Sequence, residues 1–95
     1  MNTDIVHIKA RVYGMVQGVG FRWSTIRRAT ALNLTGFVQN MPDGSVEVRA
    51  EGFRTDINQL VDWLRIGPSM SSVSEVQIEH LPEKGDYTSF DVKYR

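Results

Sequence analysis

The sequence contains no cysteine, and this absence excludes several kinds of chemistry. A chain without thiols forms no disulfide, supplies no thiolate ligand to a metal ion and has no cysteine nucleophile. It also needs no oxidising compartment. The first residues show no basic region followed by an apolar run, so no signal peptide is predicted. We therefore expect a cytoplasmic protein.

The sequence also lacks an excess of either charge and any long apolar run. Eleven Lys and Arg residues balance eleven Asp and Glu residues. Nucleic-acid affinity comes largely from neutralisation of phosphates by excess cations, so the balance argues against a nucleic-acid-binding surface. It does not exclude one small anion bound at a single point. No apolar segment is long enough to cross a bilayer. We predict a monomer with neither a nucleic-acid nor a membrane partner.

What the chain does have is the size and composition of one domain. It has 95 residues, of which 41% are hydrophobic, and this is enough to bury a core. No repeat, linker or low-complexity segment divides it. We predict a single domain over residues 1–95.

Alternation of apolar and polar side chains, which is typical of half-buried strands, recurs along the chain. Met-Pro-Asp-Gly at residues 41–44 favours chain reversal, so the strands on either side are predicted to form a hairpin. In the last strand Phe90, Val92 and Tyr94 are predicted to share one face. The predicted strands are residues 6–13, 36–40, 45–51, 73–80 and 89–95.

Two segments show helical spacing instead. The first runs from Phe21 to about Leu32, where apolar or small residues recur every three or four positions. The second has Thr55 as its predicted N-cap, an apolar stripe behind it and a stop signal at Gly67-Pro68.

The order of these elements predicts an α+β fold. Strand, helix, strand, strand, helix, strand is the ferredoxin-like α/β sandwich (βαββαβ). We expect an antiparallel sheet of four to five strands with two helices on one face. This fold has many functions, so function must be argued from a site.

The segment YGMVQGVGFRW, residues 13–23, joins a predicted strand to a helix N-terminus. Backbone N–H groups at such an end attract anions, and glycines let successive amides converge on one point. Gly14, Gly18 and Gly20 are therefore candidates for wrapping a phosphate-sized group, with Arg22 adding a two-pronged contact. In the simpler interpretation the glycines only turn the chain and Arg22 is solvated, and spacing alone does not decide. Neither the GxGxxG nor the Walker pattern fits.

The same residues carry a family resemblance. GMVQGVGFRW resembles the signature loop of the acylphosphatase family, and GFVQNMPDGSVEVRAEG, residues 36–52, resembles its second signature. The tail SFDVKYR and the Gly67-Pro68 helix exit are also similar. The similarity covers nearly the whole chain. One departure is Ser71, where a small apolar residue is usual, and it lies far from both motifs.

The resemblance implies an enzyme that hydrolyses acyl phosphates to a carboxylate and inorganic phosphate, without a metal or other cofactor. It implies that Arg22 binds the phosphate and that Asn40 holds the attacking water. Inorganic phosphate is then expected as product and competing ligand. The phosphate-binding loop is predicted to comprise Met15, Val16, Gln17, Gly18, Val19, Gly20 and Phe21.

Other chemically capable residues have simpler interpretations. His7 and His80 lie in predicted strands, and neither is predicted to be catalytic. Asp43 precedes a glycine and is assigned to turn chemistry. Core packing is the first interpretation of the helical Trp63. Trp23, also in a predicted helix, is a candidate for part of the wall of the site entrance.

Three alternatives remain open from the sequence. An RNA-binding module shares this fold, but it would need exposed aromatics and a basic sheet face. A small-molecule regulatory domain would bind its ligand without turnover. A domain cut from a larger carbamoyl-transfer enzyme is disfavoured, because we expect this chain to have a natural start and end, and it has no zinc-binding remainder.

Overall fold

The computed structural model describes residues 4–94. Its elements follow one another in the predicted order, so the α+β fold class is confirmed. No helix in this part of the chain is both long and apolar enough to span a membrane. The elements are β1 (Ile5–Met15), α1 (Phe21–Ala31), β2 (Thr35–Asn40), β3 (Val46–Phe53), α2 (Arg54–Leu64), β4 (Ser72–Leu81) and β5 (Phe90–Val92).

The strands form one sheet in the order β4-β1-β3-β2-β5. All neighbours are antiparallel except β2 and β5, which run parallel, so the five-stranded sheet is mixed. The parallel pair arises because β4 and β5 lie at opposite edges of the sheet. The connection over residues 82–89 must cross the other strands before β5 can pair with the free edge of β2.

The core lies between the sheet and the two helices. Alternate residues of the central strands point into it, as the period of a strand requires. On β1 these are Ile8, Ala10 and Val12, and all three are fully buried. The intervening residues, such as Lys9 and Arg11, lie on the opposite face, which carries no helix.

Several predicted boundaries are wrong, and two of them, the start of α2 and the end of the last strand, have a clear cause. The N-cap of α2 is Phe53 rather than Thr55, and no side chain caps this helix. The reason is that β3 stays paired with β1 as far as Phe53, so strand passes directly into helix. The last strand ends at Val92, because its pairing with β2 ends at Val38. Tyr94 therefore lies beyond the strand, and Arg95 lies outside the described residues.

The 82–89 connection is fixed to the helix-free face by two buried polar side chains. The Glu51 carboxylate accepts hydrogen bonds from the backbone N–H groups of Lys84 (2.6 Å) and Gly85 (2.8 Å). The His7 imidazole lies 2.8 Å from the Pro82 carbonyl oxygen and 3.0 Å from the Tyr87 hydroxyl. Burial raises the pKa of the Tyr87 phenol. His7 therefore has a structural partner that sequence spacing could not reveal.

Candidate active site

A strand irregularity near the end of β1 precedes the loop that joins β1 to α1. The β1–β4 register shifts between Tyr13 and Gly14, and a Cβ atom at Gly14 would lie only 2.1 Å from the Ser72 carbonyl oxygen. Met15 is the last residue of β1 and pairs with Ser72. Gly14 therefore allows two strands to approach each other, and it is not part of the loop that follows.

The loop proper, residues 16–20, has unpaired backbone donors. Within residues 4–94 its N–H groups donate no hydrogen bond. Gly18 and Gly20 have φ values of 74° and 76°, which favour glycine strongly. Gly20 is the N-cap of α1, and this helix start has neither a side-chain cap nor an acidic residue in its first turn. The positive end of the helix dipole therefore lies at the end of this loop, without a neutralising carboxylate in the first turn.

The loop is anchored to the β2–β3 hairpin. Val16 is buried in the core. The Gln17 side-chain amide donates to the carbonyl oxygens of Met41 (2.9 Å) and Ser45 (2.8 Å). These bonds fix the loop to the residue directly after Asn40. Sequence reasoning assigned only the Gln17 backbone to the loop and missed this role of its side chain.

The hairpin turn is itself braced by Asp43. Its carboxylate accepts hydrogen bonds from the Ser45 hydroxyl and from the Ser45 backbone N–H (2.9 Å), and it pairs with Arg11 at 3.2 Å. The Ser45 hydrogen bonds, helped by Arg11, hold the pKa of the Asp43 carboxyl below its usual value. The assignment of Asp43 to turn chemistry is confirmed.

Arg22 lies in the first turn of α1 and is half-buried. It forms no ion pair with a carboxylate of residues 4–94. Its guanidinium carbon lies 5.6 Å from the centroid of the Tyr94 ring. The Thr25 hydroxyl donates to the Phe21 carbonyl oxygen at 2.7 Å and so braces this turn. Arg22 is thus a cation with an aromatic neighbour but without a counter-ion in residues 4–94.

Asn40 ends β2 on the side facing the helices. Its side-chain oxygen is buried and has no hydrogen-bond partner among the described residues. Buried polar atoms nearly always have a partner, so an unpaired acceptor of this kind calls for an explanation. It is the one such side-chain atom found in residues 4–94.

One cavity of about 200 Å³ brings most of these residues together. Met15, Gln17 and Val19 are not part of its lining. Trp23 lines the cavity and is 67% exposed, which fits a place at the site entrance, whereas Trp63 packs against the core. The predicted site residues in the lining are Val16, Gly18, Gly20, Phe21, Arg22 and Asn40, and the others are Trp23, Ile26, Val92 and Tyr94.

The geometry suits a small tetrahedral anion. Gly18, Gly20 and Arg22 line one cavity with the start of α1, and among residues 4–94 no carboxylate belongs to its lining. In the described part of the chain no three His, Asp or Glu side chains lie close enough together to hold a metal ion. The prediction of metal-independent chemistry is not tested by this and stays a prediction.

Comparison with known proteins identifies the family. The family model for acylphosphatase matches residues 8–92. The chain belongs to the acylphosphatase family. An acylphosphatase from Acaryochloris marina (strain MBIC 11017) is 41% identical over 92 residues, which are 97% of this chain and 98% of the relative. The resemblance recognised from the two sequence motifs is therefore confirmed, and the chain is an enzyme of this family.

Solved structures agree with this assignment. An acylphosphatase from Coxiella burnetii superposes with a TM-score of 0.90 at 41% identity, covering 95% of this chain and 94% of that one. The same fold occurs inside a larger protein, since full-length HypF matches with a TM-score of 0.87 and 29% identity over 98% of this chain but 12% of its own. The prediction that residues 1–95 form a single domain is not tested by these likenesses.

Proposed function

We propose that this acylphosphatase-family chain hydrolyses acyl phosphates by direct attack of a water molecule held by Asn40. The observation that carries the proposal is the buried Asn40 oxygen, which has no partner within the described chain and lines the same cavity as Arg22. A water molecule is the smallest group that would satisfy this acceptor while standing beside a bound phosphoryl group.

The phosphoryl group is proposed to bind through the loop amides and Arg22. The N–H groups of residues 15–20, with that of Phe21 at the helix start, would donate to its oxygens, and the planar guanidinium would add two parallel hydrogen bonds. Gln17 would keep these amides aligned through its own bonds to the hairpin. Charge stabilisation by prealigned dipoles is the largest single contribution in many enzymes.

The reaction itself needs little from the protein. The water oxygen forms a bond to phosphorus while the bond from phosphorus to the acyl oxygen breaks, and a carboxylate leaves with the bonding electrons. Positioning and electrostatic stabilisation are sufficient for such a transfer. Asn40 is neutral and a poor base, so we assign the water proton to an oxygen of the substrate phosphate.

The nucleic-acid alternative is the weaker one. The helix-free sheet face carries the carboxylates of Glu47 and Glu51, and the 82–89 connection covers part of it. Our proposal therefore retains a small acyl phosphate as the partner, with inorganic phosphate as product and competitor. It also retains the predictions of a cytoplasmic, monomeric, single-domain enzyme that needs no cofactor.

The test is hydrolysis of acetyl phosphate by the purified chain in the presence of a chelator. We expect release of inorganic phosphate at a rate proportional to enzyme, with added inorganic phosphate inhibiting competitively. Turnover that appears only after addition of a metal ion, or binding without turnover, would contradict the proposal. The second outcome would indicate the regulatory-domain alternative.

A further inference from the structure

We infer that the acyl part of the substrate binds in an apolar groove beside the phosphate site, and that the enzyme prefers acyl phosphates with apolar chains longer than acetyl. The acyl groove is defined by Trp23 and Ile26 of α1 and by Val92 and Tyr94 at the end of the chain. This inference rests on the proposed function, because the groove is continuous with the site that would hold the phosphoryl group.

The first observation is room. The cavity of about 200 Å³ is also lined by Trp23, Ile26, Val92 and Tyr94, none of which belongs to the 16–20 loop. The part of the cavity lined by the acyl groove therefore lies beyond the residues assigned to the phosphoryl group. An acyl chain attached to the phosphoryl group is therefore the nearest candidate to occupy it.

The second observation is the chemistry of the walls. Arg22 is the one charged residue in the cavity lining among the described residues, and the phosphate would occupy it. The rest of the groove offers an indole, two aliphatic side chains and a phenol ring. A charged or strongly polar acyl group would lose its hydration there without gaining a hydrogen-bond partner. An apolar chain has no hydrogen bonds to water to lose.

The third observation is the exposure of the aromatic walls. Trp23 is 67% exposed and Tyr94 is 75% exposed. Ile26 is only partly buried against the core. Large apolar side chains exposed together at a site mark a surface that gains from being covered. Their position at the cavity selects the substrate chain, rather than a separate protein, as the group that covers them.

The experiment compares acetyl, butyryl and hexanoyl phosphate. Their carboxylate leaving groups have nearly the same acidity, so differences in kcat/KM report contacts with the chain rather than reactivity. Complete burial of one methylene corresponds to about a fourfold gain. Because the groove is partly open, we expect kcat/KM to rise at least about fourfold from acetyl to butyryl phosphate, with a further rise for hexanoyl phosphate.

Two variants test the assignment of the walls. Trp23→Gln is expected to lower the ratio of kcat/KM for hexanoyl to acetyl phosphate by at least about threefold. Ile66→Gln is the matched control, since Ile66 is an exposed apolar residue (73%) outside the cavity, and its ratio should equal that of the wild type. A flat chain-length series in the wild type, or an unchanged ratio in Trp23→Gln, would overturn the inference.

A binding measurement separates this inference from the proposed function. Hexylphosphonate is expected to bind more tightly than methylphosphonate, and Trp23→Gln should reduce the difference. If acetyl phosphate is hydrolysed but chain length has no effect, the acyl groove is wrong and the proposed function stands. If no acyl phosphate is hydrolysed, the proposed function fails, and equal affinity for the two phosphonates would then reject the groove as well.

Discussion

Two loops of this small domain treat their backbone amides in opposite ways. In the 82–89 connection the N–H groups of Lys84 and Gly85 both donate to the buried carboxylate of Glu51. In the 16–20 loop the N–H groups donate to no described residue. Converging amides attract an anion in both places. Among residues 4–94, a protein carboxylate supplies that anion in the first loop and not in the second.

The presence or absence of a carboxylate acceptor distinguishes amides that stabilise the fold from amides that are available to a ligand. An anion-binding set of amides that carries its own carboxylate stabilises the fold, because its hydrogen bonds are present at all times. A set without one leaves donors unsatisfied, and a substrate phosphate can satisfy them. Arg22 and Asn40 are likewise available to a ligand. Within the described residues Arg22 has no counter-ion, and the side-chain oxygen of Asn40 accepts no hydrogen bond.

The largest loss of activity is expected from substitution of Arg22, the cation beside the 16–20 loop. Arg22→Lys keeps the charge but loses the planar fork that matches two phosphate oxygens. We expect kcat/KM for acetyl phosphate to fall by more than the roughly hundredfold typical of one lost donor. Steady-state kinetics measure this, with Arg27→Lys on the exposed side of the same helix as control. Near-normal turnover in Arg22→Lys would remove Arg22 from the site.

Asn40→Ala tests the water-holding role. We expect kcat to fall roughly a hundredfold, with the inhibition constant of inorganic phosphate changing little, because the amides and Arg22 remain. Asn58→Ala, at an exposed asparagine of α2, is the control. A variant that keeps its turnover but binds phosphate poorly would show that Asn40 is a binding residue instead.

Glu51→Ala removes the carboxylate from the 82–89 connection, so that its amides, like those of the 16–20 loop, have no protein carboxylate as acceptor. Two N–H groups of the 82–89 connection would lose their acceptor, so the free energy of unfolding should fall by about 2 kcal/mol. Urea denaturation measures this fall, and kcat for acetyl phosphate at a temperature where the variant is folded should match the wild type. A large loss of kcat with unchanged stability would contradict the structural role of Glu51.

The smallest effect concerns pH and the hairpin that carries Asn40. Because the pKa of Asp43 is lowered in the folded state, its ionised form stabilises the fold above its ordinary pKa of 3.8. That contribution is lost as pH falls through the lower folded-state value. Asp43→Asn should therefore flatten the decline of stability below about pH 4.

A series of urea denaturation curves between pH 2 and pH 6 makes this comparison. The control is Asp62→Asn, which removes an exposed carboxylate on α2. If the free energy of unfolding of Asp43→Asn falls as steeply with decreasing pH as that of the wild type, the turn does not depend on the ionised carboxylate.

Local patterns predicted the order of the elements well. Alternation placed the strands, and the two motifs pointed to Arg22 and Asn40, which lie in different elements and meet at one cavity. Each of these inferences used residues close together in the sequence, or the resemblance of one whole motif to a family signature. The roles of Arg22 and Asn40 remain predictions.

What escaped prediction depends on contacts between distant segments. Tyr94 lies beside Arg22 because the 82–89 connection carries the chain to the edge of the sheet opposite β4, where β5 pairs with β2. The partner of His7 lies 80 residues away at Tyr87. Thr55 has the right chemistry for an N-cap, but pairing of β3 with β1 moved the helix start. No spacing rule in one sequence contains such information.

Titration of the 15N-labelled protein with inorganic phosphate, followed through the backbone amide signals, tests the central claim most directly. The account predicts saturable shifts at Gly18 and Gly20, where the donors are free, and unmoved signals at Lys84 and Gly85, whose donors are already bound to Glu51. Unmoved signals at Gly18 and Gly20 at saturating phosphate, or equal shifts in both loops, would contradict it.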